Sequence, residues 1–236
     1  MQKPNNFENV QTGDFVNHAG MSANAAMTFY GQEKVEYNAQ LCLMNMAVHG
    51  LNGKILSGNE ANTFYNDAHS LEGCCDYVMA NPPFNLDKWG QDRLLEDVRW
   101  KFGVPPSGNA NFAWVQHMIH HLSPTGKIGL VLANGSLSSQ TGGEGDIRRA
   151  IIEADLVEGI IALPSQLFYS TGIPVCLWFL SRGKAQPGKT LFIDARTMGQ
   201  MVDRKHRDFS DEDIQKLADT FKAFQESTLE DEKGFC

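Results

Sequence analysis

Two near-continuous apolar runs place the strongest constraint on the fold of this chain. They are residues 127–133 (KIGLVLA) and 156–163 (LVEGIIAL). Runs of this kind are typical of strands that are covered on both faces of a sheet. Helical patterns over residues 111–122 and 146–154 alternate with them. The alternation predicts an α/β fold with a doubly wound, mostly parallel sheet and helices on both faces.

Two further strands are predicted near the end of the chain, over residues 175–180 and 190–193. They are joined by a turn-rich stretch without a helical pattern, so we expect an antiparallel strand at one edge of the sheet. A last helix is predicted over residues 210–224, with Ser210 as its N-cap and Asp213 at the capping-box position.

Composition limits the class of protein. The 236 residues carry a formal net charge of −8, and 42% of them are hydrophobic. No apolar run approaches the roughly 18 residues of a membrane span. Five scattered cysteines predict reduced thiols, a cytoplasmic setting and no structural zinc. An acidic chain is a poor nonspecific DNA binder, so a DNA substrate would require a local basic patch or a partner subunit.

The tetrapeptide Asn81-Pro82-Pro83-Phe84 is the most informative motif. It follows the β-prone run 76–80, which two prolines stop, so Asn81 is expected at the carboxyl end of a strand. Ligands of such sheets bind outside these ends. The asparagine oxygen and a backbone carbonyl can accept from an exocyclic amino group, and the phenylalanine ring can stack on a flat base. The alternative is an ordinary strand-ending turn.

Several segments carry a family resemblance beyond this motif. They are residues 29–33 (FYGQE), 80–85 (ANPPFN), 108–111 (GNAN), 129–136 (GLVLANGS), 143–149 (GEGDIRR), 162–168 (ALPSQLF), 171–180 (TGIPVCLWFL) and 192–196 (FIDAR). With these segments in this order, the chain resembles the modification (M) subunits of type I restriction–modification systems. Those proteins transfer a methyl group from S-adenosylmethionine to the N6 atom of adenine in DNA.

The resemblance implies roles for individual residues. It assigns the catalytic motif to Asn81, Pro82, Pro83 and Phe84. It assigns cofactor contacts to Glu33, Asn62, Asn81 and Asn111, with the Glu33 carboxylate accepting from the ribose hydroxyls. No metal is expected from the residues. The resemblance also implies double-stranded DNA, a specificity subunit, a restriction subunit and a second modification subunit as partners.

The chain departs from the family pattern upstream of Phe29. Members have a loop of the type Asp-Pro-x-x-Gly-Ser-Gly there, which wraps the methionine part of the cofactor, whereas residues 11–16 read QTGDFV. We therefore expect a fragment that is incomplete at its amino terminus and binds cofactor weakly or not at all. The expected divisions are a poorly ordered or remnant segment (1–26), a methyltransferase domain (27–200) and a helical extension (201–236).

Two other functions stay open at this point. The same motif serves methyl transfer to cytosine in DNA or to a glutamine amide in protein. A remnant that keeps only the fold and subunit contacts is the third reading.

Other residue groups favour structural readings. His117, His120 and His121 lie one helical turn apart, but no fourth ligand accompanies them, so a surface or helix-packing role is favoured over a metal. Four aromatic residues are expected in the core: Phe168, Trp178, Phe179 and Phe192.

Overall fold

The computed structural model describes residues 27–236, which form two compact units. The first comprises the described residues up to Ser70 and the second runs from Leu71 to Cys236. The expectation for residues 1–26 lies outside the described part of the chain. The domain boundaries expected from the sequence stay a prediction. Within residues 27–236, no helix combines the length and the apolar character that crossing a bilayer requires.

The first unit contains a parallel pair of strands and one helix. Strand β1 (Phe29–Glu33) leads into helix α1 (Glu36–Val48), and strand β2 (Gly53–Ser57) pairs with β1 so that Glu33 lies opposite Ser57. A single 3-10 turn, Asn59–Ala61, follows β2. Both strands therefore end at one edge of this small sheet.

The second unit is built on a five-stranded sheet. Its strands are β3 (Cys75–Ala80), β4 (Leu122–Ala133), β5 (Val157–Ala162), β6 (Val175–Ser181) and β7 (Leu191–Asp194). They are ordered β3-β4-β6-β5-β7. Helix α2 (Asn111–His121) precedes β4, and helix α3 (Glu144–Glu153) precedes β5. The predicted α/β class with a mixed, largely parallel sheet is confirmed.

The predicted position of the antiparallel strand is wrong. β6 is antiparallel to both of its neighbours and lies between β4 and β5, whereas β7 is the edge strand and runs parallel to β5. Hydrophobic burial explains the order. Cys176 and Trp178 of β6 are fully buried, while Phe192 of the shorter β7 is 58% exposed. The expectation that Phe192 belongs to the core is therefore also wrong.

Apolar side chains cover both faces of this sheet. On one face, residues of α2 and α3 such as Phe112 and Ile151 pack against Leu130 and Trp178. On the other face, Ile161 and its neighbours pack against helix α4 (Asp211–Gln225), which contributes Phe224. Burial on both faces explains why the central strands read as unbroken apolar runs.

The last helix is fixed by the predicted capping box. The Ser210 hydroxyl accepts from the Asp213 backbone N–H at 3.1 Å, and the Asp213 carboxylate accepts from the Ser210 N–H at 3.0 Å. A short antiparallel pair, β8 (Gln200–Met201) and β9 (Arg207–Asp208), precedes this helix.

Candidate active site

A proline-stopped corner lies at the carboxyl end of β3. Strand β3 ends at Ala80, and Asn81 follows it in an exposed position. The two prolines fix the backbone and supply no N–H group, so the ladder with β4 cannot continue. Among residues 27–236, neither the Asn81 side chain nor the Pro82 carbonyl has a hydrogen-bond partner within the protein. The exposed Asn81 amide is thus available to a donor from outside the chain, and the Pro82 carbonyl that follows it has no partner among the described residues.

An asparagine clamp holds this corner against α2. The backbone N–H of Asn85 donates to Asn111 Oδ1 at 3.1 Å, and Asn111 Nδ2 donates to Asn85 Oδ1 at 3.0 Å. Asn109 Nδ2 also donates to Asn85 Oδ1, at 3.2 Å, which is the third hydrogen bond of this clamp. Asn85 has a φ of +52°, a left-handed conformation that asparagine tolerates better than most residues. Asn111 is 1% exposed, so its amide is committed to holding the corner.

The ring of Phe84 is positioned by a second aromatic residue. Phe84 is half-buried and meets Phe168 edge to face, with ring centroids 5.9 Å apart and an interplanar angle of 65°. Phe168 belongs to the loop that follows β5. The loops after two strands of the sheet therefore meet at its carboxyl edge. Such edge-to-face pairs are favoured by the ring quadrupoles.

The first unit carries its own polar edge. Glu33 is half-buried at the end of β1, and its Oε1 accepts from the Val35 N–H at 2.8 Å. Asn62, just after the 3-10 turn that follows β2, accepts from the Phe64 N–H through Oδ1 at 3.2 Å. The carboxyl ends of two adjacent parallel strands thus bring a carboxylate and an amide to one edge, as ligand sites in such sheets require.

A cavity of about 560 Å³ opens at the carboxyl edge of the second unit. Its lining includes Asn134 just after β4, Asp194 at the end of β7 and Arg196 beyond it. The side chain of Arg196 hydrogen-bonds Asp194 and lowers the pKa of that carboxyl to about 2. Asn134 Oδ1 is buried and has no hydrogen-bond partner among the described residues. The Asn81–Phe84 corner does not line this cavity.

The three histidines of α2 form a packed cluster. His117 Nδ1 lies 3.0 Å from Arg99 Nη1, and His121 Nδ1 lies 2.8 Å from the His117 carbonyl. Burial, and then the neighbouring His121 and Arg99, lower the pKa of His117 to about 3, so it stays neutral at physiological pH. In the part of the chain that the structure describes, no group of three metal-ligating side chains occurs.

Sequence reasoning missed three residues of this site region: Asn85, Asn134 and Phe168. Asn85 could have been found, because it ends the ANPPFN segment and the GNAN segment contains two more asparagines. The sequence predicts Phe168 as a core residue, and nothing local indicates that it contacts Phe84.

This chain has a mixed sheet covered on both faces and a polar proline corner at the carboxyl edge of that sheet. Its fold is that of an S-adenosylmethionine-dependent methyltransferase. The chain belongs to the N-6 DNA methylase family, whose family model matches residues 9–236. The family expected from the sequence is therefore confirmed.

The chain is similar to individual type I methylase subunits. The chain is 52% identical over 229 residues to the HindI type I methylase subunit of Haemophilus influenzae, covering 96% of this chain and 51% of that protein. It is 40% identical over 221 residues to the MjaIX type I methylase subunit of Methanocaldococcus jannaschii, covering 89% of this chain and 39% of that protein. This chain thus spans about half the length of the curated relatives it matches, or less.

A solved structure agrees with this assignment. The type I methyltransferase subunit of Streptococcus thermophilus superposes with a TM-score of 0.74 at 25% identity, over 95% of this chain and 47% of that one.

Proposed function

We propose that this chain carries the catalytic region of a type I modification subunit, which transfers a methyl group to the N6 atom of adenine in double-stranded DNA. The observation that carries the proposal is the corner after β3, where Asn81 is exposed and its amide has no partner among the described residues. Family membership supports the reaction class.

The corner favours reaction at an amino nitrogen. In neutral adenine the amino lone pair is delocalised into the ring, which makes the nitrogen a weak nucleophile. Hydrogen bonds from its two N–H groups to Asn81 Oδ1 and the Pro82 carbonyl stabilise a pyramidal nitrogen with a localised lone pair. Because the prolines and the Asn85–Asn111 bonds fix these oxygens in advance, little reorganisation is needed when charge develops.

Phe84 offsets part of the cost of extruding the base. Unstacking and unpairing a nucleotide costs a few kcal/mol, and stacking on an aromatic ring returns roughly 1–3 kcal/mol. The contact with Phe168 holds the Phe84 ring before the base arrives, which reduces the entropy lost on binding.

The first unit fits the nucleoside part of S-adenosylmethionine. Only one oxygen of the half-buried Glu33 carboxylate is used by Val35, so the other can accept from a ribose hydroxyl. Asn62 lies at the same edge and would border the adenine. When bound, this cofactor supplies an electrophilic methyl group. We propose no direct cofactor contact for Asn111, because its amide is bound to Asn85; it acts through the position of Asn81.

DNA and partner subunits belong to the same proposal. A chain with a net charge of −8 requires partners for most phosphate contacts. We propose a specificity subunit, a restriction subunit and a second modification subunit in this role, supported by the similarity to type I methylase subunits. A cytoplasmic location is proposed with them, supported by five free cysteines.

Methyl transfer from labelled S-adenosylmethionine to duplex DNA tests the proposal. Asn81→Ala should abolish transfer and leave the thermal unfolding temperature unchanged, because the side chain is exposed and unbonded. Asn38→Ala, on the exposed face of α1, is the matched control and should retain activity. An Asn81→Ala protein that transfers methyl at the control rate would refute the role of the corner.

The alternatives are separated by product and by binding. Digestion of the methylated DNA should release N6-methyl-2′-deoxyadenosine rather than N4-methyl-2′-deoxycytidine, and a glutamine-containing protein substrate should stay unlabelled. Calorimetric titration with S-adenosylmethionine distinguishes an enzyme from an inactive remnant, since a remnant without the glycine-rich loop would show no heat of binding.

A further inference from the structure

A second cavity, of about 580 Å³, lies at the opposite edge of the large sheet. It surrounds the starts of β4 and β5, whereas Asn81 follows the carboxyl end of β3. Its walls come from the loop before α2, the end of α2, the turn after α3 and the segment after β6. About 20 Å of β4, from Lys127 to Ala133, separates the two edges. This cavity is therefore independent of the proposed methyl-transfer site.

Four cationic side chains line this cavity: Arg99, Lys101, Arg182 and Lys184. Two of them are neutralised. Arg99 makes a bidentate pair with Asp97 at 2.8 and 2.7 Å, and the buried Lys184 ammonium pairs with Asp155.

The other two cations leave an excess of positive charge. Within residues 27–236, neither Lys101 nor Arg182 pairs with a carboxylate. Arg182 donates one N–H to the Ile119 carbonyl at 2.9 Å, and its remaining guanidinium donors are available. With Asp97, Asp155 and the Glu72 carboxylate beside His120 counted, the four cations still leave an excess of one positive charge around the cavity. Such an excess in a chain with a net charge of −8 suits an anion.

His120 lines the same cavity as these cations. Burial is the main cause that lowers the pKa of His120. The Glu72 carboxylate, 3.3 Å from His120 Nε2, raises this pKa, whereas His121, Lys101 and Arg99 lower it further.

The remaining walls are apolar. Phe102, Ile119 and Leu156 line the cavity together with two prolines. Cavities of roughly 300–1,000 Å³ that combine apolar walls with a few convergent polar groups are typical of small-molecule sites. The combination suits an anion that also has an apolar, flat part.

We propose that this cavity binds a nucleotide, with its phosphates on Lys101 and Arg182 and its base against the apolar wall. Guanidinium and ammonium groups are the side chains that bind phosphate oxygens most strongly. The phosphate could come from a free nucleotide or from a nucleic-acid chain. The size of the cavity favours a free nucleotide.

Calorimetric titration of the full chain with ADP, inorganic pyrophosphate and a ten-residue oligothymidylate tests the proposal. Lys101→Ala and Arg182→Ala should each weaken ADP binding about tenfold or more, because each removes a charge-assisted contact. Arg182→Lys should recover part of the affinity. Lys205→Ala removes an exposed lysine far along the chain and should leave ADP binding unchanged. Thermal unfolding without ligand checks that every variant is folded.

The outcomes separate the sources of phosphate. A free-nucleotide site is supported if ADP binds more tightly than pyrophosphate and the oligonucleotide shows no heat of binding. Pyrophosphate that binds as tightly as ADP overturns the role of the apolar wall. The small-molecule site is overturned if the oligonucleotide binds in a way that depends on Lys101 and ADP shows no heat of binding. Equal ADP affinity in the Lys101→Ala, Arg182→Ala and Lys205→Ala proteins overturns the location.

Discussion

Replacing Asn111 by alanine tests whether the asparagine clamp positions the proposed catalytic corner. The substitution removes two hydrogen bonds to Asn85, one to its backbone N–H and one to its side-chain oxygen. Asn111 is 1% exposed and Asn85 is exposed. The cost therefore arises mainly from the lost bonds, because water can reach the groups left on Asn85.

The size of the effect follows from these contacts. Each hydrogen bond contributes about 0.5–1.5 kcal/mol net, so two give roughly 1–3 kcal/mol, and hydration of Asn85 favours the lower half of that range. For a chain of this size, roughly 2–4 °C is lost per kcal/mol. The unfolding temperature should fall by about 2–8 °C. Because small displacements of reacting groups are costly, methyl transfer should fall by about tenfold to a hundredfold.

Differential scanning calorimetry and the methyl-transfer assay measure the two effects. Asn38→Ala, on the exposed face of α1, is the control and should leave both quantities unchanged. An Asn111→Ala protein that unfolds within 1 °C of the parent and transfers methyl at the parent rate would show that the clamp does not position the corner.

Three further predictions concern stability. A Cβ at Gly159 would lie 2.7 Å from the Phe221 ring, so Gly159→Ala should cost about 1–3 kcal/mol in denaturant unfolding; an unchanged midpoint would contradict the packing of α4 on β5. Ser210→Ala removes the capping box and should cost about 1 kcal/mol by the same measurement, and no loss would mean that Asp213 alone holds the end of α4. Burial holds the pKa of His117 near 3 instead of 6.5, so the unfolded chain binds a proton there below pH 6.5 that the folded chain excludes. Stability should therefore fall as pH drops from 6.5 towards 3, by up to about 1.4 kcal/mol per unit. Urea unfolding between pH 7 and 5 measures how steeply the free energy of unfolding falls as pH drops. His117→Gln should make this fall less steep, and an unchanged pH dependence would contradict the assignment to His117.

Local signals in the sequence predicted the elements that local contacts determine. The capping box of Ser210 and Asp213 involves residues three positions apart, and the stop after β3 is set by the prolines themselves. The corner at Asn81 was predicted for the same reason. The strand at residues 53–57 has no local signal of this kind, because GKILS is short and has no clear alternation.

Long-range pairing could not be predicted in this way. The order of strands depends on which apolar surfaces meet, and the pattern of β6 alone does not specify its neighbours. The bonds between Asn85 and Asn111 join residues 26 positions apart. The contact between Phe84 and Phe168 spans an even longer stretch. Such contacts depend on the completed sheet, so sequence periodicity carries no information about them.

The interior place of β6 has a consequence for synthesis of the protein. Strands β4 and β5 do not pair with each other, and each depends on β6, which follows both in the sequence. Until Ser181 has left the ribosome, two bare strand edges therefore remain unsatisfied in the nascent polypeptide. Bare edges of this kind can recruit other chains and aggregate. A polypeptide released before Val175 should consequently need chaperone protection, whereas one that extends past Asp194 contains every strand of this sheet.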